Sequence, residues 1–214
     1  MYLTDMRMRN FLKPAFTIFL VFAFAGTRAQ TKTGYIFGLN LSTMTLKTNG
    51  ISTHAKTLAG IHFGGFIEIP VKGKFTLQPA LIFSAKGSDY KIDTVEYSIS
   101  PIYIEVPVMA AYSFGSDVFN VSLFAGPYFA CGVGGYKLGS KSVIENISYG
   151  SGKNSDLKFF DIGLNFGAGV NIKGFLILAQ YGIGLANVSP VSSMDTEMKN
   201  KVIGISISSS FSGN

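Results

Sequence analysis

The sequence predicts an all-β protein, specifically an eight-stranded antiparallel up-and-down transmembrane β-barrel. Three observations carry this prediction: a two-residue alternation in eight segments, connections that alternate between short and long, and aromatic residues gathered at one end of the strands. The chain is 47% hydrophobic, yet after residue 29 it has no apolar run of about 18 residues, the length of a membrane-spanning helix. This combination is typical of either a large soluble core or a membrane barrel.

The clearest alternation is in the segment from Phe160 to Ile172. Its even positions are all apolar, whereas its odd positions are Asp, Gly or Asn. Because side chains on a strand point to alternate faces, the segment has one apolar face and one small, polar face. A tilted strand needs about 9–11 residues to cross a bilayer, so this segment is long enough to do so.

Seven other segments show the same alternation and complete the set of predicted strands. The least regular one begins at Phe175, because its first residues are apolar on both faces. The eight predicted strands cover residues 34–46, 58–69, 74–86, 102–114, 118–135, 160–172, 175–188 and 202–211.

The connections between these strands alternate in length. Short turns are predicted at residues 70–73, 115–117 and 173–174, and long loops at 47–57, 87–101, 137–156 and 189–200. Outer-membrane barrels have this arrangement, with short turns on the periplasmic side and long loops outside. We therefore expect both termini of the barrel to be periplasmic.

Aromatic residues on the apolar faces gather at the short-turn end, where amphipathic rings would meet a membrane interface. The predicted lipid-interface residues are Tyr35, Phe37, Phe75, Tyr112, Phe114, Phe119, Phe175 and Phe211. A secreted, lipocalin-like binder of a small ligand is the soluble alternative, since it is also eight-stranded. The opposite strand faces, however, are rich in Gly, Ser and Asn and poor in charge, which suits a filled barrel interior better than a soluble exterior.

The N-terminus has the pattern of a cleavable signal peptide. Arg7, Arg9 and Lys13 precede the apolar run 15–25, and a small-x-small site ends at Ala29. We expect residues 1–29 to be removed, leaving 30–214 as the barrel domain. That domain contains no arginine, which disfavours nucleic-acid binding. Its expected partners are outer-membrane lipids and, during insertion, the barrel-assembly machinery.

Six short motifs follow one another along the chain. They are Gly38-Leu39-Asn40-Leu41-Ser42, Leu77-Gln78-Pro79-Ala80-Leu81 with Lys86-Gly87, Tyr103-Ile104-Glu105-Val106-Pro107-Val108, Gly126-Pro127-Tyr128-Phe129, Asp161-Ile162-Gly163 with Gly167-Ala168-Gly169, and Gln180-Tyr181-Gly182-Ile183-Gly184-Leu185. In the same order, these motifs resemble those of the PorT-like, or porin-family, outer-membrane β-barrel proteins of Bacteroidota. The resemblance implies an eight-stranded outer-membrane barrel, in a group where most members lack a known activity and one branch is implicated in assembling a protein-secretion machine.

Eight strands enclose an interior just wide enough for side chains, so we expect a filled lumen and no open pore. Lys86 and Glu105 flank the loop 87–101 and are expected to pair, because buried charges are normally paired. The predicted polar residues of the lumen, with a structural role, are His62, Glu68, Gln78, Lys86, Tyr103, Glu105, Asp161, Asn165 and Gln180.

Two functional alternatives concern the loop end. Some outer-membrane barrels modify lipids with Ser and His near the outer rim, and this chain has His54 and His62. No Ser or acid is marked as their partner, so we predict no enzyme activity and assign no catalytic, cofactor or metal-binding residue. The longest loop, 137–156, is the candidate surface for a protein partner, although its composition is equally typical of a solvated tip.

Overall fold

The computed structural model of the chain describes residues 31–48, 51–53, 55–92, 95–116, 118–139, 143–152, 154–190 and 196–212. The predicted signal peptide and His54 lie outside these residues. Among the described residues, no helix is long and apolar enough to cross a membrane. The strands are β1 (Lys32–Thr48), β2 (Ile51–Thr53), β3 (Ala55–Lys72), β4 (Phe75–Ala85), β5 (Ser88–Ile92), β6 (Val95–Gly115), β7 (Phe119–Leu138), β8 (Ile144–Asn146), β9 (Phe160–Ile172), β10 (Phe175–Gly184) and β11 (Glu197–Ser212).

Eight long strands pair in a closed antiparallel ring. The ring runs β1, β3, β4, β6, β7, β9, β10 and β11, and β1 closes it by pairing with both β3 and β11. Closure pairs the strand edges, as a barrel in lipid requires. The predicted fold class, an eight-stranded up-and-down barrel, is confirmed.

The short strands extend three hairpins beyond the ring, in segments that the sequence predicted as irregular loops. β2 pairs with the end of β1, β5 pairs with β3 and β6, and β8 pairs with β7. β5 is separated from β4 by Lys86 and Gly87. Gly87 has a φ of 149°, and a Cβ there would lie 2.2 Å from the carbonyl oxygen of Ile99, so this position requires glycine.

The predicted strand boundaries agree best where the alternation is cleanest. β9 has the predicted bounds, and its exposure alternates almost throughout. β10 is shorter than predicted and ends at Gly184, because the N–H groups of Leu185 and Ala186 both donate to the carbonyl of Ile162. β11 is longer and begins at Glu197, five residues before its predicted start at Val202.

The outer face of the ring is an apolar band. All eight aromatic residues predicted at the lipid interface are exposed, from 40% for Phe75 to 56% for Tyr35. Twelve residue steps along β9 at about 3.3 Å each, with a tilt of about 40°, give a band roughly 30 Å high. This height matches the hydrocarbon core of a bilayer, which is about 30 Å thick.

The lumen has three layers of side chains, and its buried charged side chains lie in the middle layer. Along β1 the buried inward side chains run from Ile36 near the turn end, through Asn40 and Ser42, to Met44. Apolar side chains therefore predominate on both sides of the middle layer. The lower apolar layer comprises Ile36, Ala80, Ile82, Met109, Ala111, Phe124 and Leu178. The upper apolar layer comprises Met44, Tyr90, Ile147, Leu157 and Val188.

Candidate functional site

The middle layer contains most of the polar residues predicted for the lumen. Those that are buried there are His62, Lys86, Tyr103, Glu105, Asp161 and Asn165, none more than 5% exposed. Gln180 is half-buried and lines the same space. Glu68 and Gln78 are half-buried nearer the turn end, where Gln78 Nε2 donates to Glu68 Oε2 at 3.5 Å. We refer to the six buried residues His62, Lys86, Tyr103, Glu105, Asp161 and Asn165 as the polar cluster.

An ion pair between Lys86 and Glu105 forms the centre of the polar cluster. The Nζ of Lys86 lies 2.6 Å from Oε2 of Glu105 and 3.9 Å from Oδ2 of Asp161. Lys86 follows the end of β4, whereas Glu105 lies in the neighbouring β6, so the topology brings the two together as predicted. Asn165 Nδ2 donates to the other oxygen of Glu105, at 3.3 Å. These contacts offset the cost of removing the charges from water.

Asp161 links this ion pair to the opposite wall of the barrel. Its Oδ2 accepts hydrogen bonds from Tyr128 Oη at 3.0 Å and from Asn200 Nδ2 at 2.9 Å. The ring of Tyr128 also faces the Lys86 ammonium, 4.4 Å from the ring centroid, in a cation–π contact. Sequence reasoning did not assign Asn200, because the predicted strand began at residue 202. Extending its alternation by two residues would have placed Asn200 inward.

His62 is held by neutral hydrogen-bonding partners. The Nδ2 of Asn40 donates to Ala85 O at 2.9 Å and to Ser84 Oγ at 3.0 Å, which fixes the orientation of the amide. The Oδ1 of Asn40 therefore lies 2.8 Å from His62 Nδ1 and accepts a hydrogen bond from its N–H group. The other ring nitrogen, Nε2, lies 2.7 Å from Ser206 Oγ. Both nitrogens are thus occupied, and no carboxylate orients this imidazole as in a catalytic triad.

The segments 147–152 and 154–159 fold into the mouth of the barrel. Ile147 and Leu157 are buried in the upper apolar layer, and the ring of Tyr149 stacks on Phe159 at 5.9 Å. We call Ile147, Tyr149 and Leu157 the mouth cap. Tyr149 lies against Gly132, where a Cβ would be 2.0 Å from the ring. Part of the predicted partner loop therefore fills the barrel.

Polar contacts hold the mouth cap in place. Tyr149 Oη donates to the carbonyl of Gly134 at 2.8 Å. Asp156 accepts from the backbone N–H of Ser148 at 2.8 Å and from Lys137 Nζ at 2.7 Å. The hydrogen bond to Asp156 raises the pKa of Lys137. The cap is therefore bonded to β7 through Tyr149 and Asp156, and Asp156 also joins the two ends of the cap's own segment.

The β7–β8 hairpin lies outside the mouth and exposes apolar side chains. Ile144 is 70% exposed, and Val143 and Tyr136 are about half exposed. Within the described part of the chain, β8 pairs with β7 alone, so its other edge is unpaired. We call Tyr136, Val143 and Ile144 the hairpin tip.

The polar cluster leaves space for about one water molecule. A cavity of about 10 Å³ lies within it, close to the minimum that a single water occupies. Among the described residues, no group of three or more His, Cys, Asp or Glu side chains is placed to hold a metal ion. The residues lining the cavity are Asn40, His62, Ile82, Ser84, Lys86, Glu105, Tyr128, Asn165, Gln180, Gly182 and Val202.

Comparisons with solved structures agree with the fold. The chain is similar to the outer membrane protein OprG from Pseudomonas aeruginosa, at 12% identity over 88% of this chain and 99% of that one, with a TM-score of 0.52. Ail, the attachment invasion locus protein of Yersinia pestis solved with the heparin analogue sucrose octasulfate, is 14% identical over 85% and 99% of the two chains, with a TM-score of 0.43. Neisserial surface protein A is 11% identical over 83% of this chain and 97% of that one, with a TM-score of 0.44.

Sequence comparison identifies the family directly. No curated protein is significantly similar to the chain in sequence. The family model described as "Outer membrane protein beta-barrel domain" matches residues 28–189, which is more than half of the chain. The protein therefore belongs to this family of outer-membrane β-barrel proteins.

Proposed function

We propose that this protein is a non-enzymatic outer-membrane scaffold with a closed lumen, which acts in adhesion or assembly by presenting its loop end to a protein partner. The observation that carries this proposal is the position of the polar cluster between two apolar layers of side chains. The barrel interior is then a structural element, and the surface available for a specific role is at the loops.

A closed lumen is supported by the packing along its axis. An ion that entered from the turn end would pass Glu68 and Gln78 and then meet Phe124, Leu178 and the rest of the lower apolar layer. It would then have to separate Lys86 from Glu105, and finally displace the mouth cap. Each step exposes apolar groups or unpairs buried charges, which is costly.

A non-enzymatic role is supported by the environment of His62. Its two ring nitrogens contact Asn40 and Ser206, so neither is directed at a surface where a lipid could react. The histidine is also only 2% exposed. A buried histidine with saturated hydrogen bonds suits a role in packing better than general acid–base chemistry.

The hairpin tip supports a partner-binding role for the loop end. Its apolar side chains project beyond the barrel mouth, whereas the mouth cap turns its own inward. Apolar side chains exposed together are typical of protein interaction sites. One branch of the family that the sequence motifs resemble is implicated in assembling a secretion machine, so we propose a component of such a machine as the partner.

The experiment that tests this role is site-specific photo-crosslinking in cells. A photoreactive phenylalanine analogue replaces Ile144 in the hairpin tip, or Lys173 in a turn at the opposite end as the matched control. We expect a discrete protein adduct from position 144 and none from 173, and the adduct should disappear when Val143→Asp is added. Equal labelling from both positions, or none from 144, would contradict the proposed binding surface.

A further inference from the structure

Three lysines lie on the outward face where β1 and β11 leave the apolar band. Lys199 and Lys201 are two positions apart in β11, and Lys47 is near the loop end of β1. In the β1–β11 register Thr45 lies opposite Lys199, and Lys47 lies opposite Glu197. We call Lys47, Lys199 and Lys201 the lysine patch.

The alternation of β11 directs Lys201 sideways, toward the membrane. The outward residues of this strand include Ile205 and Ile203, both more than half exposed, and Lys201 takes the next outward position. The even-numbered residues of this strand point into the barrel, where Val202 and Asn200 are buried. Lys201 therefore continues the row of lipid-facing side chains.

The height of the apolar band places Lys201 at a headgroup region. Phe211 lies in the aromatic row at the turn end, and Lys201 is ten residues from it along the same strand. At about 3.3 Å per residue and a tilt of about 40°, the two are roughly 25 Å apart along the barrel axis. On these two strands the exposed apolar row ends at the pair Leu41 and Ile203, and Thr43 and Lys201 take the next outward positions, so Lys201 lies at the upper boundary of the band there.

The charge of the patch is only partly compensated. Lys199 pairs with Glu197. Lys47 and Lys201 are exposed, and neither is within ion-pair distance of a carboxylate among the described residues. Glu197 lies opposite Lys47 and also attracts it, so this one carboxylate offsets one of the three positive charges. By contrast, the lysines at the polar cluster and the mouth cap contact carboxylates. The patch thus keeps two positive charges beside the bilayer surface, which suits an anionic group.

We propose that the lysine patch binds the phosphate-bearing headgroup of a lipid in the leaflet at the loop end. Ammonium groups bind phosphate as point charges, and the two lysines without an ion pair, Lys47 and Lys201, lie on adjacent strands on either side of Lys199. The exposed side chains of Leu41 and Ile203 lie directly below and offer an apolar surface for the acyl chains of the same molecule. A free anion would use the lysines alone, whereas a lipid uses both.

Electron spin resonance of the full chain in phosphatidylcholine vesicles tests this proposal. The measurement compares protein association of spin-labelled phosphatidylglycerol with that of spin-labelled phosphatidylcholine. We expect the wild type to prefer the anionic lipid by about fivefold or more, since each lysine near a surface contributes about 1 kcal/mol. The triple variant Lys47→Gln/Lys199→Gln/Lys201→Gln should lose most of this preference, whereas arginine at the same positions should retain it.

The matched control carries the same charge change at the opposite end of the barrel. The variant Lys32→Gln/Lys72→Gln/Lys173→Gln removes three exposed lysines near the turns and should keep most of the preference. Inorganic phosphate at the concentration of the labelled lipid should not compete. Equal loss in both glutamine triples, or an unchanged preference in the patch triple, would overturn the proposal. Gel mobility with and without heating checks that every variant is folded.

Discussion

The Nζ of Lys86 and the Oε2 of Glu105 lie 2.6 Å apart, and the two side chains are 4% and 7% exposed. Asp161 Oδ2 also lies near Lys86 Nζ, at 3.9 Å, so one ammonium faces two carboxylates.

The substitutions Lys86→Met and Glu105→Gln should therefore differ in effect. Lys86→Met leaves both carboxylates without their cation and should lower the free energy of unfolding by roughly 3–5 kcal/mol. Glu105→Gln leaves Lys86 with Asp161 and should cost clearly less.

Urea titration of the protein in lipid vesicles, followed by gel mobility, measures this asymmetry. The double variant Lys86→Met/Glu105→Gln is expected to be more stable than Lys86→Met alone, because it removes one of the stranded charges. Lys72→Met, at an exposed position of β3, is the matched surface control. Equal destabilisation by the two single substitutions would contradict the arrangement of one cation between two carboxylates.

The contact between Gly132 and Tyr149 predicts a second pair of effects. Gly132→Ala introduces a Cβ that would lie 2.0 Å from the Tyr149 ring, so the mouth cap must move outward. Limited proteolysis should then cut the segment 147–159 faster than in the wild type. Adding Tyr149→Ala removes the clash, so further cleavage caused by Gly132→Ala should be small in that background. A Gly132→Ala effect of the same size in both backgrounds would show that the clash is not the cause.

The ion pair at the base of the mouth cap predicts a pH dependence. The pKa of Lys137 is raised by its hydrogen bond to Asp156. A lysine with a raised pKa contributes stability that is present below its ordinary pKa and is lost as the pH rises through the raised value. Proteolysis of the cap should therefore be constant from neutral to mildly alkaline pH and increase only beyond the ordinary lysine range. Lys137→Gln should be cleaved faster than the wild type up to the ordinary lysine range, and the difference should shrink above it. A wild-type increase near neutral pH would contradict this assignment.

The orientation of the barrel in the membrane is tested by labelling whole cells. Cys131→Ser provides a background without cysteine. A cysteine is then introduced at Val143 in the hairpin tip or at Ser116 in a short turn. A membrane-impermeant maleimide should label position 143 in intact cells, and position 116 only after the outer membrane is opened. Labelling of position 116 alone in intact cells would contradict the prediction that the termini are periplasmic.

The barrel walls follow from local sequence, because the alternation of β9 shows directly which residues share a face. The ion pair of Lys86 and Glu105 was also predictable, since the order of strands places both at the loop end of neighbouring strands. The lower apolar layer was not, because segments such as Phe175–Ala179 are apolar on both faces and alternation cannot then orient them. The mouth cap depends on the space that Gly132 leaves in β7, and composition alone describes the cap's segment as a solvated loop.

We propose that two apolar layers, one on either side of the polar cluster, close the lumen. Single-channel recording of the purified protein in planar bilayers tests it most directly, with the variant Phe124→Ala/Leu178→Ala/Tyr149→Ala as an opened reference. We predict no steady conductance from the wild type, and small, frequent openings from the reference. Steady wild-type conductance equal to that of the reference would contradict the closed lumen.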